Sequence, residues 1–540
     1  MHLVFLNQYY PPDAAPTGVM LEGLVEELAR DGHEVTVLCA SGGYAGKERG
    51  IHSALPSSHQ PSTLNLQHLP SIIRLRTSRF GRGTFIGKLL DYASYYVGVA
   101  WKLLTLHPAP DRIVALTTPP LLSVLARLLS KIRGADHAHW VMDLYPDVMA
   151  AHGMLGKNNV MYRVLAGLSR WGFGGRRCAA VLTLGPDMAE RVKKVISHQR
   201  SEITKEEEGN EDIAAPYYSQ PFIPAKPRGD AGSTLNSQFS LVQWVPLWGT
   251  AGEREKLTTE ELKAEMDSPS TINSPPTTSS LRHQRGWGDG ELIVMYSGNM
   301  GLGHRFGEIL AAAHLADLKH RSDEGADSMH FSRRGMNESR DESRGPGLPT
   351  TDSSNYQPST LHHQHSTSMR FVFYGDGKRR VEVEAFVREN PECAVELHGY
   401  APAAELAAHL QSADVHLATL DAAWTGTMVP SKLQGIFAVG RPVIFIGSAD
   451  SSIGQWVAES GGGWVVPAGD VDGLLAALDE ARDPEIRLIR GRAAEVYARS
   501  HFDKRTNVAR VAAILAGEGT PRPSAHGQGI HAPHHPHAIP

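Results

Sequence analysis

A chain of 540 residues is longer than one hydrophobic core ordinarily spans, so two or more domains are expected. Its hydrophobic content of 41% and net charge of -5 describe a globular protein without a basic signature, which excludes nucleic acid as a partner on composition. The three cysteines, Cys39, Cys178 and Cys393, are odd in number and far apart, matching neither a disulfide framework nor a metal spacing, so a reducing, cytoplasmic setting without a metal is expected.

Met1–Leu6 runs straight into a strand and lacks the basic region and cleavage site of a signal peptide. No run approaches the roughly 18 apolar residues that a bilayer span needs. Leu3–Leu6 is a buried strand, Asn7–Gly18 a loop of turn formers, and Val19–Asp31 a helix by the spacing of Met20, Leu21, Leu24 and Leu28. With the strand Glu34–Cys39 this makes a βαβ unit. Gly18, at the loop-to-helix junction, suits close approach by a ligand, but the three-glycine dinucleotide fingerprint is missing, which argues against a nicotinamide cofactor.

Arg74, Arg76, Arg79, Arg82 and Lys88 then precede an aromatic amphipathic helix, Phe85–Leu106. That pairing suits peripheral contact with an anionic membrane, on the inner face of the cytoplasmic membrane; a solvated charge run beside a packed helix is the bland alternative. Strands at Arg112–Leu116, His139–Met142 and Ala179–Leu184 alternate with helices at Leu121–Arg133, Val160–Gly172 and Pro186–Val195. The strand His139–Met142 delivers Asp143 to a carboxyl edge, where open parallel sheets bind ligands. Asp143 is a catalytic candidate there, or else a residue that caps the following turn.

Three polar stretches, His198–Gln238, Ser268–Gln284 and Arg321–Ser368, read as disordered insertions. The island Leu241–Trp248 reads as the last strand before an interdomain linker. A second α/β pattern opens at Leu292–Gly301, continues through strands Arg370–Tyr374, Val395–His398 and Val415–Thr419, and reaches the stretch Thr427–Ile446. There Ser431 is read as an N-cap, Gly440 as a left-handed stop and Val443–Ile446 as a strand covered on both faces. A helix opening at such an edge suits a diphosphate, with Lys432 serving the ligand; an ordinary crossover with a surface lysine is the alternative.

The predicted organisation is an N-terminal domain at 1–197, an insertion at 198–238, a linker with insertion at 239–290, and a C-terminal domain at 291–320 and 369–500. The insertion 321–368 interrupts the latter, and a helix at 501–518 and a disordered tail at 519–540 follow.

The motifs Leu6–Asp13 with Thr17-Gly18, Asp143–Asp147, Tyr296–Gly301, Tyr374–Gly377, and Val429–Lys432 through Gly440–Pro442 resemble those of family 4 glycosyltransferases of GT-B fold. The likeness is to the bacterial surface-polysaccharide subgroup, with colanic-acid-type and fucosamine-type transferases. The resemblance implies an α/β architecture of two Rossmann-like domains facing a central cleft. It also implies anomeric retention with no metal and no cofactor. A nucleotide-sugar donor, UDP-linked, would pass its sugar to a lipid-linked or saccharide acceptor. Residue by residue, it places Asn299, His304 and Arg305 at the donor phosphates and Gly399 and Tyr400 at the base. Pro430, Ser431 and Lys432 fall at the diphosphate, and Asp143 where many members carry a catalytic histidine. The wider family's pair of glutamates, eight apart, is replaced by Thr427 and Gly435. Two rivals follow: a GT-B sugar-nucleotide epimerase, or a catalytically silent GT-B binding or scaffold protein.

Overall fold

The computed structural model describes residues 1–13, 15–41, 69–78, 80, 85–204, 241–247, 281–288, 290–319, 321 and 368–518. Most of the expected insertions, and the tail after Glu518, lie outside the described residues. The first domain runs β1 (His2–Leu6), α1 (Pro16–Arg30), β2 (Glu34–Ala40), β3 (Ser71–Leu75), α2 (Phe85–Thr105) and β4 (Arg112–Ala115). It continues with α3 (Leu122–Arg133), β5 (Asp136–Val141), α4 (Asp147–Ala151), α5 (Val160–Phe173), β6 (Cys178–Thr183), α6 (Pro186–Thr204) and β7 (Val242–Trp244). Its sheet has the order β3-β2-β1-β4-β5-β6-β7 and is parallel throughout.

The second domain runs β8 (Leu292–Ser297), α7 (307–319), β9 (Met369–Tyr374), α8 (Arg380–Glu389), β10 (Val395–His398), α9 (Leu406–Gln411) and β11 (Val415–Thr419). Then come α10 (Lys432–Ala438), β12 (Val443–Ile446), α11 (Ser452–Ser460), β13 (Gly463–Val466), α12 (Val471–Glu480), α13 (Pro484–His501) and α14 (Lys504–Ala516). The order β10-β9-β8-β11-β12-β13 is again all parallel. Every residue of β1 and of β12 is buried, as sheets covered by helices on both faces require. In each sheet the strand order reverses once, between β1 and β4 and between β8 and β11, and such switch points open crevices at the carboxyl edge.

The domains share one continuous apolar core. Helix α14 leaves the second domain and packs on α1 and β6 of the first. Asp503 caps it by accepting from the Thr506 amide at 2.8 Å, and Asn507 donates to the Pro246 carbonyl at 3.3 Å. No helix among the described residues is long and apolar enough to cross a membrane.

Several local expectations change. Helix α6 runs on to Thr204, past the boundary at 197, because Gln199, Arg200 and Glu202 sustain a helix as readily as most apolar residues do. A single helical turn at 281–284 falls inside a stretch expected to be disordered. Ser431 does not cap α10: its backbone (φ -86°, ψ 9°) is not the extended conformation of an N-cap, and its side chain makes no capping bond. Gly440, at φ 67°, supplies the left-handed stop. Gly18 lies buried inside the first turn of α1, where a Cβ would stand 3.1 Å from the Tyr9 carbonyl oxygen. The close approach that Gly18 permits is by the chain's own Tyr9-Tyr10 loop, not by a ligand.

Candidate active site

The loops after β8, β9, β10 and β11 converge at the switch point of the second sheet, around Lys432. Lys432 opens α10, and its Nζ donates to the Tyr296 hydroxyl, to the Asn299 carbonyl at 3.2 Å and to His304 Nε2 at 3.4 Å. The ammonium also lies 3.8 Å from the Tyr296 ring centroid. The Tyr296 hydroxyl in turn donates to the Asn299 carbonyl at 2.7 Å. Gly298 makes room for this approach, since a Cβ there would come within 2.6 Å of Lys432 Cε. Among the described residues no carboxylate meets Lys432, and burial holds its pKa well below the ordinary lysine value. A desolvated cation with neutral partners and no counter-ion is a site for an anionic ligand.

His304 is 5% exposed and lies beneath this cluster. Its Nδ1–H donates to the Thr419 carbonyl at 2.8 Å, which leaves Nε2 as acceptor for Lys432. Burial and the Lys432 charge push its pKa down to about 3, so it stays neutral. His304 therefore positions the lysine. Asn299 presents an exposed side chain, Gly399 stands in open space, and Tyr400 is 62% exposed with its hydroxyl donating to the Asp376 carbonyl at 3.1 Å. Pro430 is buried and Ser431 exposed at the lip.

Arg305 departs from the expected phosphate role. Its guanidinium is held by Glu308 at 2.6 Å and Asp421 at 3.1 Å, and hydrogen bonding to Glu308 raises its pKa. Two carboxylates already neutralise the charge, so Arg305 braces the turn before α7 against the loop after β11. Arg305→Ala should lower stability by about 1–3 kcal/mol, because Glu308, 6% exposed, loses its cation, while donor affinity stays within about threefold. Urea unfolding and nucleotide titration on the same variant check both halves.

Asp143 stands two residues beyond β5, and its backbone forms an antiparallel bridge with Met428. The Leu144 amide donates to the Thr427 carbonyl at 2.8 Å, so the acceptor-side aspartate and the Lys432 loop are tied together across the domain boundary. The carboxylate has no hydrogen-bond partner among the described residues, and burial pushes its pKa up to about 6. Thr427 is fully buried and its hydroxyl donates to the Trp424 carbonyl at 2.8 Å, so it shapes the crossing and has no surface for the donor. Motif reading missed the rest of the junction. Gly426 N donates to Asp187 at 3.1 Å, Arg191 donates to the Thr425 carbonyl at 3.0 Å while pairing with Asp147 at 2.7 Å, and His152 meets Trp424 at 4.5 Å.

A cavity of about 590 Å³ lies beside this crossing, lined by Tyr145, Asp147, Lys157, Arg170, Arg191 and Gly426. It is walled mostly by the first domain, with Thr425 and Gly426 of the second at its edge, and Lys432 does not line it. Lys432 and this cavity thus sit on opposite sides of the bridge at Asp143 and Met428.

Over almost its whole length the chain is similar in structure to Anabaena Alr3699/HepE, crystallised in complex with UDP: 96% of this chain and 100% of that one superpose, at 12% identity and a TM-score of 0.54. The chain has the GT-B fold, an α/β architecture of two parallel sheets with helices. Residues 358–482, in the second domain, match the family described as Glycosyl transferases group 1. The chain is also 29% identical over 121 residues to the probable glycosyltransferase WbjE of Pseudomonas aeruginosa (22% of this chain, 30% of that protein). It is 31% identical over 109 residues to the amylovoran biosynthesis glycosyltransferase AmsK of Erwinia amylovora (20% and 26%). Each match spans less than a third of the relative's length.

Proposed function

We propose that the chain is a retaining family 4 glycosyltransferase of the surface-polysaccharide subgroup. It moves a hexosyl or N-acetylhexosaminyl group from a UDP-linked donor to a lipid-linked or saccharide acceptor in envelope or exopolysaccharide assembly. The observation that carries this reading is Lys432, a desolvated ammonium without a carboxylate partner at the switch point of a nucleotide-binding type of sheet. As the bond from the sugar to the β-phosphate oxygen breaks, its electron pair leaves with that oxygen and the diphosphate gains one negative charge, which a fixed cation in a low-dielectric site stabilises. Asn299 flanks the phosphates and Tyr400 packs the base. Asp143, with a pKa near neutrality, orients the acceptor hydroxyl and takes up its proton. The cavity at Lys157 and Arg170 receives the acceptor.

Incubation with UDP-sugars, with and without a lipid-linked acceptor, tests this. Release of UDP that depends on acceptor supports transfer. Conversion of the sugar without acceptor points instead to the epimerase, and tight donor binding without turnover points to the silent scaffold.

For the membrane reading, support comes from the expected helix more than from the arginines before it. Arg74 is tied to the Pro11 carbonyl, and Arg79 and Arg82 lie outside the described residues. Helix α2 buries Tyr95, Val99 and Leu103 but exposes Ile86, Val97 and Trp101 at 69, 69 and 71%. Helix α3, packed on α2, exposes Ile132, and α5, packed on α3, exposes Val160 and Val164. Apolar insertion of this face, helped by flanking lysines and arginines, holds the protein peripherally on an anionic surface. Changing Ile86, Val97 and Trp101 together to Ser should cut sedimentation with anionic vesicles about tenfold or more. Equal sedimentation of variant and wild type removes this face from membrane contact.

A further inference from the structure

Inside the first domain, away from Lys432, two imidazoles and a thiol converge. His137 and His139 are two apart on β5 and therefore share a face of the sheet. The register places His137 opposite Cys178 on β6 and then slips by one residue, with Ala179 the extra one. The three residues are 1%, 1% and 6% exposed, and one potential ligand atom from each lies within 4.8 Å of the others. His139 is the anomaly. Neither ring nitrogen makes a hydrogen bond of normal geometry, although the Gly172 backbone interacts with the ring, and the ring is wedged edge-on between His137 and Phe173, with centroids at 5.1 and 5.4 Å. An imidazole carries at least one N–H, and hiding it unpaired is costly, so a buried histidine of this kind calls for a reason.

We propose that His137, His139 and Cys178 form a structural metal site for a thiophilic divalent cation of the zinc type, bound through two imidazole nitrogens and the Cys178 thiolate. The donor set selects the ion: nitrogen and thiolate with no carboxylate suit zinc and disfavour magnesium or calcium. His137 must release one of its two ring hydrogen bonds, to Ser130 Oγ at 3.2 Å or to the Gly174 carbonyl at 3.3 Å, and small side-chain adjustments then bring the atoms to metal–ligand distances of about 2.0–2.3 Å. A cavity of about 20 Å³, with room for one water, borders His139 together with Thr117, Asp143 and Ser169. Binding through the thiolate expels the Cys178 proton to solvent. No electron is transferred. The ion would clamp β5 to β6, and β5 is the strand that leads to Asp143. The cysteine spacing gave no hint of this because the ligands come from two strands.

The test uses the untagged full chain, stripped with a chelator and titrated with cobalt(II) alone. One equivalent should produce a thiolate-to-cobalt charge-transfer band with tetrahedral ligand-field bands, release a proton, and be displaced by zinc(II). The histidines of the C-terminal tail, His526 to His537, have no cysteine among them and cannot give that band. Cys178→Ser and His139→Phe should abolish it, and Cys393→Ser should keep it, although Cys393 lies beside His314 and Glu392. His139→Phe fills the space with an apolar ring, and its midpoint should no longer rise when zinc is added, whereas the wild type's should. Absence of a thiolate band in the wild type overturns the proposal, as does a band that survives in Cys178→Ser.

Discussion

Replacing Lys432 by Ala should lower kcat/KM for the nucleotide sugar by about 30- to 1,000-fold, the ratio that a loss of about 2–4 kcal/mol produces. The size follows from the environment. The ammonium is half-buried, stacked on Tyr296, and fixed by the Asn299 carbonyl and His304 Nε2, so the field it places on a diphosphate is weakly screened by water and, among the described residues, not shared with a carboxylate. Lys432→Arg should not restore the rate, because the planar fork cannot repeat the point contact with Tyr296, Asn299 and His304. The same burial fixes two signs. A lysine whose folded pKa lies below its unfolded value destabilises the fold at every pH where both are charged, so Lys432→Met should raise the unfolding midpoint at pH 7. Bound diphosphate favours the charged form, so donor affinity should fall as pH rises above the lowered pKa of Lys432 in the free folded protein. Thermal unfolding and nucleotide titration across pH read both.

Asp143→Asn should leave donor binding intact and reduce transfer by about a hundredfold or more. Asparagine can still fill the turn and keep the backbone bridge to Met428, so only the charge is removed. Burial raises the Asp143 pKa from 3.8 to about 6, so kcat/KM of the wild type should fall as pH drops through about 6, and the variant should lack that limb. Stability runs the other way. A raised carboxyl pKa contributes stability that is fully present below about 3.8 and lost as pH rises through about 6, so Asp143→Asn should be the more stable protein at neutral pH. A well-folded variant with near-normal transfer would reduce Asp143 to a turn residue and move attention to Asp147.

The sheets were legible because their strands are apolar runs between turn formers: Val415–Thr419 and Val443–Ile446 fall where the sequence places them. Helices Arg380–Glu389, Ser452–Ser460 and Pro484–His501 were not assigned, the first and last being polar over most of their surface. The site was legible as motifs but not as partnerships. Sequence places Lys432 at a helix start, but Tyr296 beneath it comes from a strand 136 residues away. Arg305 and Lys432 look alike as cations in glycine-rich turns; pairing with Asp421, 116 residues on, separates them. Ser431 has the right side chain for a cap and the wrong backbone, which only the crossing of residues 424–431 decides. Nothing local announces that α14 returns to the first domain, because its buried face at Val508, Val511 and Leu515 would suit either.

The most direct test is a binding cycle in which UDP and uridine are each titrated by calorimetry into the wild type and into Lys432→Ala. A diphosphate held by Lys432 predicts that the wild type binds UDP at least about a hundredfold more tightly than uridine. It also predicts that this ratio collapses to within about tenfold in the variant, with uridine affinity unchanged. An undiminished ratio in a well-folded Lys432→Ala would contradict it and place the donor phosphates elsewhere.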